Sequence, residues 1–191
     1  GMSRTVPQVS RCMVAQRGHN LYVTILAGTE TGEALTNGKV KEKQETKNPF
    51  EGKFALTIDP AKDGQQFAHR LRIPTWDREK RFLPSKLYSF KEAPPPWSLQ
   101  VNGKVVTPKM EKGFAVLARA WKAGDKVQLD LPMPVQCSTA FNRVVAYNGR
   151  VAVTRGPLVF CAEEIDNGMQ VQRLAAPQLP KPDQVKVTSI K

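Results

Sequence analysis

Cysteine and histidine are scarce in this chain, with three and two among 191 residues. Cys12, Cys137 and Cys161 share no CxxC-like spacing, and His19 and His69 lie far apart, so no compact metal-ligand set can be read. Buried free thiols are the expected state of the cysteines. Glycine-rich phosphate loops are missing, as neither GxGxxG nor GxxxxGK[ST] occurs. Neither histidine accompanies a GxSxG elbow, which removes the usual serine-hydrolase signature. Long apolar runs are also absent: stretches such as Leu21 to Ala27 fall far short of the ~18 residues that span a bilayer. No segment keeps a capped helical period. The sequence therefore calls for no metal, no cofactor and no membrane partner.

Positive charge is plentiful, with a formal net charge of +12. It is dispersed and interleaved with acids, as in Lys39-Val40-Lys41-Glu42-Lys43, and no run of five like charges occurs. Nucleic-acid footprints are usually clustered, so no specific nucleic acid is expected; a basic domain with general polyanion affinity stays open as a minor alternative. Gly1 before Met2 looks like a residue left by tag cleavage. If Met2 is the natural start, nothing after it reads as a secretory signal and a cytoplasmic location is implied; a removed signal peptide would imply a periplasmic or secreted one.

The dominant pattern is short alternation. Phe54, Leu56 and Ile58 alternate with Ala55, Thr57 and Asp59. Phe67, Leu71 and Ile73 oppose Arg70 and Arg72, while Phe114, Val116 and Ala118 alternate with Ala115, Leu117 and Arg119. Val127, Leu129 and Leu131 repeat the theme, and in Leu21 to Leu26 the residues Tyr22 and Leu26 suggest a second, partly covered face. A period of two is the signature of strands. Asn102-Gly103 and Asn148-Gly149, each between extended runs, predict tight hairpins, and Asn37-Gly38 and Ala123-Gly124-Asp125 mark further turns. Many short strands imply an all-β, antiparallel β-sandwich of jelly-roll type. We expect a lead-in over 1–19, the sandwich over 20–174, and a proline-rich tail or edge strand over 175–191.

Several strings in order carry a family resemblance. They are Leu21-Tyr22-Val23 with Gln44-Glu45-Thr46; Leu71-Arg72-Ile73-Pro74-Thr75-Trp76; Val101-Asn102-Gly103; Trp121-Lys122-Ala123-Gly124-Asp125; Leu131-Pro132-Met133-Pro134-Val135; and Arg155-Gly156-Pro157-Leu158-Val159-Phe160-Cys161. Their order resembles the non-catalytic β-sandwich region of the β-L-arabinofuranosidases, glycoside hydrolase family 127. The insert with Pro84-Ser85-Lys86-Leu87-Tyr88 looks like the gut-Bacteroidetes branch. The resemblance implies that the chemistry belongs to an upstream α-helical barrel, where a cysteine nucleophile sits in a zinc-bound cluster. Cys12 lacks a neighbouring cysteine and lies too near Leu21 to take that role. His69 also departs from the pattern, because the family usually places an apolar residue there.

No catalytic residue is assigned. Glu163 and Glu164 are adjacent in a strand-like run, which points them to opposite faces, whereas glycoside hydrolysis needs carboxyls facing each other. Arg70, Arg72 and Arg155 read as sheet-face arginines whose stems pack and whose heads pair with acids. Trp76 and Trp121 read as core or rim anchors. The candidate contacts to a glycan or a partner are Trp97, Tyr88 and Phe90, from the irregular 77–98 segment, together with Tyr22 and Leu26. The resulting expectation is an accessory domain that is inactive alone and either packs against a catalytic barrel or self-associates. The alternative is a carbohydrate-binding module that uses the 77–98 loop.

Overall fold

The structure, a computed structural model, describes residues 12–77, 88–90 and 95–161. Glu163, Glu164, the expected 175–191 tail and the Pro84 to Leu87 insert lie outside the described residues. Two compact units emerge: one from the chain up to Pro74 plus Pro96–Leu131, the other from Thr75–Pro95 plus the chain from Pro132 onward. Each is described by itself.

The first unit is a sandwich of two sheets. Its first sheet runs in the order β1 (Val14–Arg17), β2 (Asn20–Val23), β6 (Gln65–Arg72), β11 (Phe114–Trp121) and β10 (Lys109–Glu111). The second runs β3 (Thr29–Leu35), β4 (Gly38–Thr46), β5 (Lys53–Pro60), β12 (Asp125–Asp130), β8 (Ser98–Val101) and β9 (Lys104–Val105). Pairing is antiparallel except between β2 and β6, which run parallel. The inward faces are those that period two picks out. Leu21, Val23, Phe67 and Leu71 on one sheet are buried, as are Phe54, Leu56, Ile58, Val127 and Leu129 on the other. Trp121 is fully buried and donates its indole N–H to the Phe67 carbonyl at 3.2 Å. A buried indole needs such an acceptor.

Two local features explain the register. At Asn102-Gly103 both residues have positive φ, 52° and 76°, the requirement of a tight hairpin between β8 and β9. The Asn102 side chain then accepts from the Lys126 N–H and donates to Asp125, both at 2.8 Å, which fastens the turn to β12. At Gly52 the backbone meets Leu131 so closely that a Cβ would lie 1.8 Å from the Leu131 carbonyl oxygen. Only glycine fits there.

The second unit holds a four-stranded antiparallel sheet: β15 (Leu158–Phe160), β14 (Val151–Arg155), β13 (Val135–Ala140) and β7 (Tyr88–Phe90). Here one hairpin expectation fails. Asn148-Gly149 is not the two-residue loop of a hairpin; Val145–Tyr147 before it form a 3-10 turn, and the longer 141–150 connection joins β13 to its partner β14. Gly149 has positive φ but Asn148 is extended, with φ −60° and ψ 132°, so a two-residue hairpin turn cannot form. The thiol expectation is also corrected. Cys137 is buried within β13, whereas Cys12 and Cys161 are exposed.

Candidate functional site

On the outer face of the first sheet, strand alternation gathers aromatic and cationic side chains. Register pairs Tyr22 with Arg70, Arg70 with Val116 and Arg72 with Phe114. The Arg70 guanidinium lies 5.5 Å from the Tyr22 ring centroid, and that of Arg72 lies 5.3 Å from Phe114. Tyr22 and Phe114 meet edge-to-face at 5.5 Å. Arg70 donates to Asn20 at 2.8 Å and to Glu111 at 2.7 Å. That hydrogen bond, with a second from Lys109, holds the Glu111 carboxyl below the usual carboxylate range. Arg70 is thus engaged by an amide, a carboxylate and a ring, as expected for a sheet-face arginine rather than a free anion site. Ala68 and Ala118, paired across β6 and β11, extend the face as a shallow small-residue strip.

The outer face of the second sheet has the opposite character. Lys39, Lys41, Lys43, Lys53 and Lys126 stand exposed among Glu45, Asp59 and Asp130. Lys43 pairs with Glu45 at 3.0 Å, and this contact raises its pKa. The two outer faces therefore differ: one is solvated and charged, the other half-buried and aromatic.

Between the sheets lies a polar contact that the sequence reading missed. The run Lys39 to Lys43 reads as interleaved surface charge, yet Glu42 and Gln44 point inward at 3% and 2% exposure. His69 Nε2 lies 2.9 Å from Glu42 Oε2, and both side chains are fully buried. Gln44 donates to the other Glu42 oxygen at 2.8 Å. Glu33 on β3 feels both its own burial and the charge of Glu42, and its pKa is raised. The clue in the sequence was parity, since Glu42 and Gln44 share the face of Val40. Both members of the pair are fully buried, so no substrate reaches them. The arrangement is a core polar lock rather than a catalytic pair.

The candidate contacts separate. Tyr22 belongs to the aromatic face, whereas Leu26 is buried inside the first unit at 8% exposure. Trp97 is half-buried just before β8. Tyr88 is exposed in β7 of the second unit, and Phe90 ends the same strand. Among the described residues no group of histidine, cysteine, aspartate and glutamate side chains could hold a metal ion. No helix there is long and apolar enough to cross a membrane.

With this geometry in view, comparison with known proteins decides the family. The "Beta-L-arabinofuranosidase, GH127 middle domain" family matches residues 20–133, and the "Glycoside hydrolase family 127 C-terminal domain" matches 135–190. The chain belongs to glycoside hydrolase family 127. It is similar to the non-reducing end β-L-arabinofuranosidase of Bifidobacterium longum subsp. longum, with 34% identity over 87% of this chain and 23% of that protein. A solved GH127 β-arabinofuranosidase aligns with TM-score 0.77 at 34% identity, over 86% of this chain and 26% of that one. The GH127 β-L-arabinofuranosidase of Geobacillus stearothermophilus T6 aligns with TM-score 0.75 at 31% identity, over 89% and 24%. The chain thus spans about a quarter of the length of these GH127 relatives. It corresponds to their middle and C-terminal β domains, and the boundary between the two matched domains falls at the Leu131-Pro132-Met133-Pro134 joint. A catalytic barrel is not among the regions matched.

Proposed function

We propose that this chain serves as the accessory β-part of an arabinofuranosidase-like glycoside hydrolase and binds a catalytic α-helical barrel through the outer face of its first sheet. The carrying observation is the asymmetry of the sandwich. Its second sheet shows water a lysine-rich surface, as an ordinary solvated face does. Its first sheet shows Tyr22, Phe114 and Val116 half-buried, with arginines laid over the rings. Interface cores are enriched in aromatics and arginine and depleted in lysine. Within an assembled enzyme the chain orders and supports the barrel, and the barrel supplies the chemistry.

The experiment is association in trans. The chain is titrated into the barrel region of the Geobacillus relative, made without its own β domains. Tight association is expected, and Tyr22→Ser with Phe114→Ser should weaken it at least tenfold, about 1.4 kcal/mol. Both rings lie on an outer face, so the variant should keep the strand spectrum. Absence of association, or an unchanged affinity in the double variant, would overturn the reading.

A further inference from the structure

The second unit carries a cavity that the barrel-docking role does not use. It has a volume of about 380 Å³ and is lined by Tyr88, Ser138, Ala140, Tyr147, Arg150, Val151 and Ala152. Its origin is visible in the register. Ser138 faces Ala152 across β13 and β14, and Ala140 faces Tyr88 across β13 and β7. Alternation puts Ser138 and Ala140 on one face of the sheet, with the small Ala152 beside Ser138 on β14, so these three leave a low floor between the larger β7 residues and the 141–150 connection. Tyr88 enters from β7, and Tyr147 from the 3-10 turn that links β13 to β14. These tyrosines keep 45% and 48% of their surface exposed. Among the described residues, two tyrosines and an arginine thus stand around a floor of small side chains.

We propose that this cavity binds a single sugar ring of a glycan. Its volume falls in the range of small-ligand pockets. A sugar ring has apolar C–H faces and a hydroxyl edge. Tyrosine offers an aromatic surface and a hydroxyl together. Ser138 and Arg150 add hydroxyl and guanidinium donors, and the serine adds an acceptor. Among the described residues no carboxylate lines the cavity, and the site is read as one that holds a ring rather than cleaves it. Arg150, the sole charged residue among the described residues of the lining, also suits a sugar that bears a carboxylate. The choice of a sugar over another flat ligand rests on the glycoside hydrolase reading above. The role is retention of a substrate chain near the enzyme, separate from cleavage.

The test is an NMR titration of the isotope-labelled full chain with methyl β-L-arabinofuranoside, digalacturonate and, as a flat non-sugar control, naphthalene-2-sulfonate. We expect shifts confined to the backbone around 88–89 and 138–152, with dissociation constants on the order of 1 mM, typical of single-ring contacts. Either sugar binding there supports the site; preference for digalacturonate assigns Arg150 to the carboxylate, and Arg150→Gln should then erase that preference. Tyr147→Ala should weaken binding at least tenfold while leaving the rest of the spectrum in place, since Tyr147 is exposed in a turn. The proposal is overturned if neither sugar shifts these residues, if Tyr147→Ala binds as the wild type does, or if the naphthalenesulfonate binds there more tightly than both sugars. Barrel association is read on Tyr22 and Phe114 in the first unit, so failure of either proposal leaves the other testable.

Discussion

Removing His69 should cost the first unit far more than an ordinary core substitution, and removing its partner as well should restore most of the loss. The imidazole and the Glu42 carboxylate are both fully buried, 2.9 Å apart, and the remaining polar support is the Gln44 amide at 2.8 Å. In His69→Leu the carboxylate keeps that single amide inside an apolar core made by Phe67, Leu71 and Trp121. Breaking a buried pair from one side costs about 3–5 kcal/mol. Glu42→Leu leaves a buried imidazole without its acceptor, which costs about 1–3 kcal/mol. The double variant replaces both groups by aliphatic side chains and should lie within about 1 kcal/mol of wild type, or above it. The coupling in the cycle is therefore at least about 2 kcal/mol. Urea unfolding followed by tryptophan fluorescence suits this unit, because the Trp121 ring lies 6.1 Å from His69. With slopes of about 1–3 kcal/mol per molar, His69→Leu should lower the midpoint by about 2 M. A His69→Leu variant as stable as wild type, or a double variant whose loss is the sum of the singles, would refute the argument that His69 serves chiefly to satisfy Glu42.

Four further outcomes follow from particular contacts. Gly52→Ala should destabilise the first unit by about 2–4 kcal/mol, measured by thermal unfolding, because its Cβ would collide with the Leu131 carbonyl and break the 3.0 Å bond from Leu131 N–H to Gly52. Asp125 titrates below the usual aspartate range: burial pushes it up, but the Asn102 side chain and the Lys122 N–H outweigh that. A depressed carboxyl stabilises above its unfolded pKa and loses that contribution as pH falls, so between about pH 5 and pH 2.5 the melting temperature should drop less steeply in Asp125→Asn than in wild type. The chain alone should give no hydrolysis of an aryl β-L-arabinofuranoside with reductant and zinc present; turnover that disappears in Cys12→Ala or Glu163→Gln would contradict the accessory role. Binding to DNA should be weak, indifferent to sequence and steeply reduced by salt, as mixing the chain with duplexes at rising ionic strength would show.

Strand identity and most of the core were legible in the sequence by itself. Phe54, Leu56 and Ile58, or Val127 and Leu129, lie on one face because side chains alternate along any strand, whatever that strand pairs with. Asn102-Gly103 was legible for a similar reason, since its positive φ values are local demands. The same signal at Asn148-Gly149 misled, because the run before it, Val145–Tyr147, forms a 3-10 turn while Val151 and Val153 pair with the more distant β13, and pairing is a property of distant residues. Family membership, too, was written in the order of short strings along the chain. What only tertiary structure decided is which side of each strand meets the other sheet and who waits there. Glu42 looks like one more surface charge until β4 is set against β6 and His69 appears opposite it. Tyr22, Arg70 and Phe114 come from three strands far apart in sequence, and only the order of the sheet makes them one surface. The cavity beside Tyr88 and Tyr147 likewise exists because register lines up three small side chains, and register is fixed by pairing across the sheet rather than by any residue alone.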